Sequence, residues 1–256
     1  MDSSKIFRLD GQVALVTGAS SGLGVRFAEV AAANGASVML VARRGDRLQT
    51  LRAKIEKAGG RAAVAEADVT DRSAVARAFD AAEKAFGTVT LLVNNAGVAH
   101  ADRALDLPEA GWRRVLDTNL DAVFFTAQEA ARRMLAAGKR GSIVNIASIM
   151  GLGVAKGSIA YATAKAGVVQ ITKALALELA FKGVRVNAIA PGFVVTEINR
   201  EFLAKRTDMT RHIPIGRFGE EKDLDGAFLL LASDAGSYMA GTVIVVDGGQ
   251  ILSIPG

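Results

Sequence analysis

Short apolar runs recur along this chain, and a segment with helical apolar spacing follows almost every one of them. Val13-Ala14-Leu15-Val16 is stopped by a glycine turn and reads as a buried parallel strand. Residues 23–34 then carry apolar side chains at helical intervals and end at Gly35. Val38-Met39-Leu40-Val41 repeats the strand, and residues 46–58 repeat the helix before Gly59-Gly60. Ala63-Val64-Ala65 leads to Asp68-Val69-Thr70-Asp71, where Thr70 or Asp71 can cap a helix that runs through Phe86. Val89-Thr90-Leu91-Leu92-Val93 is a fourth strand, closed by Asn94-Asn95-Ala96-Gly97. A long helix over about 109–136, broken near Asn119, precedes a strand at 142–146, a helix at 159–182, and strands at 184–189 and 242–246. This alternation predicts an α/β, doubly wound three-layer fold whose seven-stranded, mainly parallel sheet is covered on both faces. The 256 residues suit a single domain with a full core, and no linker or repeat marks a second one. Residues 193–218 are too long for an ordinary connection, which predicts a lid.

The net charge of +5 raises the question of nucleic acid. Its basic pairs, Arg113/Arg114, Arg132/Arg133, Lys139/Arg140 and Lys205/Arg206 among them, lie in separate segments with no aromatic interleaving. They read as solvated helix faces, and no nucleic-acid partner is expected. No apolar run reaches the roughly 18–20 residues of a membrane span, and the start of the chain has no apolar leader. There is no cysteine, and His100 and His212 are the only histidines, so a metal site is not expected. A cytoplasmic enzyme without membrane contact is the expectation.

Gly18, Gly22 and Gly24 follow the first strand and open a helix. Glycines there let backbone N–H groups approach a pyrophosphate, which the helix N-terminus favours electrostatically. An NAD site wants a carboxylate at the end of the second strand, about 20 residues on, to bind the ribose 2′-hydroxyl. Here that place holds Ala42, followed by Arg43 and Arg44. A guanidinium suits a 2′-phosphate, so NADP(H) is the expected coenzyme, with Arg43 ranked ahead of Arg44 as its partner. Further on, Ser148 precedes Tyr161 by thirteen residues, and Lys165 follows Tyr161 by four. Tyr161 and Lys165 therefore share a helix face, where an ammonium can lower the phenol's pKa. Ser148 closes a strand at the sheet edge where such folds bind ligands.

The glycine turn and the Ser/Tyr/Lys set, in this order and spacing, resemble the short-chain dehydrogenase/reductase family from about Leu9 to Gly249. The resemblance implies hydride transfer between NADP(H) and a ketone or secondary alcohol. Asn119, Ser148, Tyr161 and Lys165 would be the catalytic set, with Asn119 holding a water through its side chain or backbone. Gly18, Ser20, Ser21, Gly22, Leu23 and Gly24 would cradle the coenzyme, Ser21 standing where several NADP-using members carry a basic residue. Asp68 and Val69 would meet the adenine, and Asn95, Ala96 and Gly97 would line a ribose. Tyr161 and Lys165 would contact the coenzyme as well, Lys165 at the nicotinamide ribose. Pro191, Gly192, Val194 and Thr196 would cover the nicotinamide. Around the reacting carbon the expectation is an apolar pocket from Ile149, Met150, Val154, Phe193 and segment 197–213, with Ile198, Phe202, Leu203, Met209 and Ile213. Lys205, Arg206 and Arg211 would lie outside it. That favours an apolar substituent over a sugar or a charged acid.

Two other readings share parts of this pattern. A 3-oxoacyl-[acyl-carrier-protein] reductase has nearly the same motifs, and Lys139 and Lys182 fall where its basic docking surface would be. A non-catalytic dinucleotide sensor, or a purely structural oligomer, would not need an intact Tyr161, Lys165, Ser148 and Asn119. The resemblance also implies a homotetramer, to which alanine-rich helices (Ala127, Ala130, Ala131, Ala174, Ala176) and the Ile251-Leu252-Ser253-Ile254 tail would contribute.

Overall fold

The computed structural model describes residues 5–197 and 199–252, and of Phe202 and Thr207 the backbone alone. Its first half runs β1 (Val13–Thr17), α1 (Gly22–Ala33), β2 (Ser37–Ala42), α2 (Gly45–Lys57), β3 (Arg61–Glu66), α3 (Arg72–Phe86) and β4 (Leu91–Asn94). Then come α4 (Glu109–Leu116), a π-helical turn at Asp117–Asp121, α5 (Ala122–Ala136), β5 (Gly141–Ile146) and α6 (Ile159–Leu179). The last part holds β6 (Val184–Pro191), β7 (Val194–Val195), α7 (Arg200–Ala204), β8 (Gly219–Glu220), α8 (Asp225–Ala232) and β9 (Val243–Val246).

Seven strands form one sheet in the order β3-β2-β1-β4-β5-β6-β9. Every pairing is parallel, so the sheet is parallel throughout rather than mainly so. Strand residues alternate between two cores because successive side chains point to opposite faces. Ala14, Val16, Val38 and Leu40 pack with Phe27 of α1, Leu48 of α2 and Phe228 of α8. Val13, Leu15, Met39 and Val41 pack with Phe79 of α3 and Met134 of α5. Each such large side chain, fully buried, stabilises the fold by about 1.5–3 kcal/mol. Ala127, Ala130, Ala131 and Ala176 also line this second core, so they seat helices on the sheet instead of facing a partner; only Ala174 of that group is exposed.

Asp71, not Thr70, caps α3, accepting from the backbone N–H of Ser73 at 2.8 Å and Ala74 at 3.1 Å. The long helix is broken at Asn119, as the sequence predicts, by the π turn. Elements beyond the sequence reading are α7, α8 and a parallel ribbon of β7 and β8. The predicted lid at 193–218 thus has structure of its own, including α7 and a 3-10 turn at Thr207–His212. Leu203 and Ile213 are buried within it, whereas Ile198, the Phe202 side chain and the Ser253-Ile254 end of the tail lie outside the described residues.

β1 neighbours β2 on one side and β4 on the other, so the chain reverses its direction of winding between β1 and β4. The crevice beyond the carboxyl ends of these strands is where a fold of this kind takes a ligand. Among the described residues, no helix is long and apolar enough to cross a membrane.

Candidate active site

The glycine turn is packed too closely for any side chain. A Cβ on Gly24 would lie 2.2 Å from the Gly18 carbonyl oxygen, and one on Gly18 would lie 2.8 Å from Ala96 Cα. Gly18 also has a φ of +68°, a left-handed value that glycine adopts without strain. Thr17, to which no sequence motif points, locks this turn to the end of β4. Its Oγ1 accepts from the N–H groups of Asn95 at 3.0 Å and Ala96 at 3.1 Å, and it donates to the Val93 carbonyl at 3.2 Å. The Asn95 side chain donates in turn to the Thr17 carbonyl at 3.0 Å. Ser21 is the N-cap of α1, yet its side chain caps no N–H. The first-turn amides are therefore left for an anion, and the cradle fits a dinucleotide pyrophosphate.

At the end of β2, Ala42 is buried and carries no acid. Arg44 Nη2 donates to Ser20 Oγ at 2.9 Å and Ser21 Oγ at 3.0 Å. Arg43 is exposed and stands 3.6 Å from Asp68 Oδ2. The second-ranked arginine is thus the one seated on the turn. Burial pushes the Asp68 carboxyl up, but hydrogen bonds from Thr70 and the nearby Arg43 outweigh it and hold the group below its ordinary value. Across the crevice, Thr196 lies against the turn: a Cβ on Gly22 would meet Thr196 Cβ at 3.3 Å. Pro191 ends β6, and the Gly192 N–H bonds to the Val246 carbonyl at 3.0 Å. Val194 is buried beyond it.

Ser148 lies just past β5, and its Oγ accepts from the Met150 N–H at 3.1 Å. That leaves the hydroxyl proton free to donate, and it bonds to Tyr161 in the first turn of α6. Lys165 follows one turn later, 4% exposed, with Nζ donating to the Ile146 carbonyl at 2.7 Å and 5.7 Å from the centre of the Tyr161 ring. Burial lowers its pKa to about 8. The Tyr161 phenol is raised, not lowered: burial pushes it up more than the Ser148 hydrogen bond pulls it down. The ammonium's expected effect on the phenol is not seen: burial brings Lys165 to about 8, so it has lost its charge before the phenol ionises.

Asn119, fully buried in the π turn, clasps the backbone of Val98: its Oδ1 accepts from the Val98 N–H and its Nδ2 donates to the Val98 carbonyl, both at 2.8 Å. Both polar atoms of its side chain are thus engaged by Val98. Beneath it runs a buried polar chain that the sequence does not reveal. Asn94 Nδ2 donates to Asn145 Oδ1 at 3.0 Å, and Asn145 Nδ2 donates to Thr172 Oγ1 at 2.9 Å, tying β4, β5 and α6 together.

The two perturbed groups give stability a definite pH dependence. Between pH 8 and 10.5 an unfolded lysine is protonated while buried Lys165 is not, so the unfolded state binds more protons. Stability should rise with pH across that window, by up to about 1.4 kcal/mol per unit, the burial penalty being fully present below it. Above about pH 10 the raised Tyr161 acts oppositely, since the unfolded phenol ionises first. Urea unfolding at pH 7, 8.5 and 9.5 should show the rise in wild type and not in Lys165→Met. Identical slopes in both would refute it.

A family model described as enoyl-(acyl carrier protein) reductase matches residues 18–250. Galactitol 2-dehydrogenase (L-tagatose-forming) of Cereibacter sphaeroides is 42% identical, with 97% of this chain and 98% of that protein aligned. The chain belongs to the short-chain dehydrogenase/reductase family. Within that family, 3β-hydroxysteroid dehydrogenase 1 of Eggerthella lenta is 41% identical over 95% of each chain. A gluconate 5-dehydrogenase from Burkholderia cenocepacia, solved with NADP and tartrate, superposes with a TM-score of 0.93 at 33% identity, covering 98% of this chain and 100% of that one. This short-chain dehydrogenase is accordingly an oxidoreductase of the alcohol–carbonyl class.

Around its crevice, Ile149 and Met150 form a half-buried 3-10 turn beside Ser148, and Phe193 is half-buried against Phe218. Val154 is 88% exposed and does not line an enclosed pocket as the sequence predicts. The loop after β4 closes towards the loop before α6, since a Cβ on Gly157 would come 3.8 Å from the Asp102 carbonyl oxygen.

Proposed function

We propose that this chain is an NADP(H)-dependent ketoreductase that interconverts a ketone and a secondary alcohol, with Tyr161 as the acid and base. The observation that carries this is the meeting of Ser148, Tyr161 and Lys165 beside a glycine cradle whose neighbouring strand ends in arginines and no acid. The dinucleotide, when bound, supplies hydride donor and acceptor chemistry at its nicotinamide. Gly18, Gly22, Leu23 and Gly24 hold its pyrophosphate, and Ser20, Ser21, Arg43 and Arg44 its 2′-phosphate. Asp68 and Val69 hold the adenine side; Asn95, Ala96, Gly97 and Lys165 the riboses; Pro191, Gly192, Val194 and Thr196 the nicotinamide side.

In reduction, Tyr161 gives its phenolic proton to the carbonyl oxygen, and in oxidation it takes the proton back. A phenol kept protonated by burial is suited to the first of these. Ser148 donates to the same oxygen as negative charge grows on it, from a position already fixed by Met150. Lys165 passes a proton towards Tyr161, and the backbone of Asn119 holds the water that refills it. A lysine with a pKa of about 8 changes its proton readily near neutrality.

The substrate we propose is a ketone or secondary alcohol with an apolar substituent. Between Ile146 and Ala155 the only hydrogen-bonding side chain is Ser148, so the wall beside the reacting oxygen is apolar, which supports this choice. The test is coenzyme consumption over a panel of alkyl, cyclic and polyhydroxylated ketones. Turnover of the first two groups is expected. Turnover confined to the polyhydroxylated group would overturn the substrate class, and none with any carbonyl would overturn the enzyme.

A homotetramer is part of this proposal. Leu177 near the end of α6 and Phe181 in the 3-10 turn that follows are 83% and 82% exposed, Tyr238 is fully exposed, and among the described residues edge strand β9 is unpaired on its outer side. A second copy covering this face would remove both an apolar patch and an open edge. Light scattering at micromolar concentration should report an assembly, and a monomer would count against it.

A further inference from the structure

The first residues of the lid place a carboxylate on the basic corner of the coenzyme site. Thr196 lies against Gly22, and Glu197, next in the chain, has its Oε2 2.8 Å from Arg47 Nη1 on α2. These partners are 150 residues apart in sequence, and the ion pair spans the crevice. A hydrogen bond from Arg47, its charge, and the charge of Arg44 together hold Glu197 below the ordinary carboxylate range. Arg44 is the guanidinium seated on Ser20 and Ser21. Arg44 and Arg47 therefore share this corner with Glu197, Arg43 precedes Arg44 in the chain, and Glu66 at the end of β3 comes close as well, its Oε2 lying 2.5 Å from where a Cβ on Gly45 would be. Asp68 faces Arg43 and is also held by Thr70. Glu197 alone comes from the lid.

We propose that Glu197 is a specificity-determining residue for the coenzyme: it occupies the Arg44/Arg47 corner as an internal substitute for the 2′-phosphate, and NADP(H) displaces it. The inference rests on the NADP(H) reading above. A 2′-phosphate brings up to two negative charges to guanidiniums that Glu197 holds with one, so it wins the exchange. A 2′-hydroxyl brings none and leaves the Arg47–Glu197 pair closed. The lid is thus released from α2 by NADP(H) and stays tied with NAD(H), which couples coenzyme choice to access at the substrate side.

Glu197 is 60% exposed and Arg47 39%, so the pair is weak and its effect modest. Calorimetric titration of NADPH and NADH into the full-length protein, with no ketone present, reads it directly. Glu197→Gln should tighten NADPH binding about two- to fivefold and leave NADH within a factor of about two. The gain should fade at high ionic strength, and Glu197→Asp should bind NADPH as wild type does. Unaltered NADH binding also reports that the variant is folded. If wild type prefers NADPH but Glu197→Gln shows no gain, or tightens both coenzymes equally, the inference is wrong and the coenzyme reading stands. A wild type that does not prefer NADPH overturns the coenzyme reading and this inference with it.

Discussion

Tyr161→Phe should lose turnover by about 10²–10⁴-fold, the usual contribution of a positioned acid or base, while keeping its fold and its affinity for NADPH. The ring stays in place because its contacts are with the cluster of Val115, Ala160 and Ala164, which the hydroxyl does not touch. Only the phenolic oxygen, hydrogen-bonded to Ser148, is removed. Ser148 then still donates to the carbonyl oxygen, so residual catalysis comes from that hydrogen bond and from orientation alone. Single-turnover rates with calorimetric NADPH affinity separate the two effects. Ketone reduction near the wild-type rate would remove Tyr161 from the mechanism.

Coenzyme preference should move when the end of β2 is rebuilt. Ala42→Asp supplies an acceptor for a ribose 2′-hydroxyl and repels a 2′-phosphate, and Arg43→Leu removes one phosphate partner. Each charge-assisted hydrogen bond lost is worth roughly 1.5–3 kcal/mol, or about ten- to hundredfold in affinity. The position of Arg44 on Ser20 and Ser21 makes the double variant an incomplete switch. Adding Arg44→Leu should carry it further, Arg47 being the guanidinium that remains at this corner. The ratio of NADPH to NADH dissociation constants should therefore fall in two steps. If the double variant already reverses the preference fully, Arg44 has no share in the phosphate site.

The strands of this fold are legible in sequence because a parallel strand buried on both faces is apolar along its whole length, as Val38-Met39-Leu40-Val41 is. α8 escapes for the same reason: Ala227-Phe228-Leu229-Leu230-Leu231-Ala232 is apolar without a face, too short for helical periodicity to declare itself. The β7–β8 ribbon has two residues per strand and no pattern to read. In the site, Ser148, Tyr161 and Lys165 show by their order and spacing. What spacing does not carry is depth and direction. The phenol's raised pKa depends on burial, and the choice between Arg43 and Arg44 depends on where the chain bends. Arg44 is the residue preceding α2, and its backbone, at φ −98° and ψ 89°, turns the side chain back to the serines. The Thr17–Asn95 and Asn94–Asn145–Thr172 contacts join residues 27 to 78 positions apart, a range over which no local pattern operates.

The π turn at Asp117–Asp121 has a consequence for the helix as a whole. α4, the turn and α5 form one continuous length of helix, yet its two ends face different neighbours. Val115 packs with Ala160 and Ala164 of α6, whereas Ala127, Ala130, Ala131 and Met134 pack on the sheet beside α3. In an α-helix each residue advances the azimuth by about 100°. A surplus residue absorbed as a π turn is therefore a phase slip, which resets the angular frame of everything after it. Deleting one residue there would restore a regular α-helix and rotate α5 by about that angle, swinging its alanines off the sheet while α4 stayed seated. The same dislocation that brings Asn119 inward thus keeps two packing surfaces in phase with two different partners.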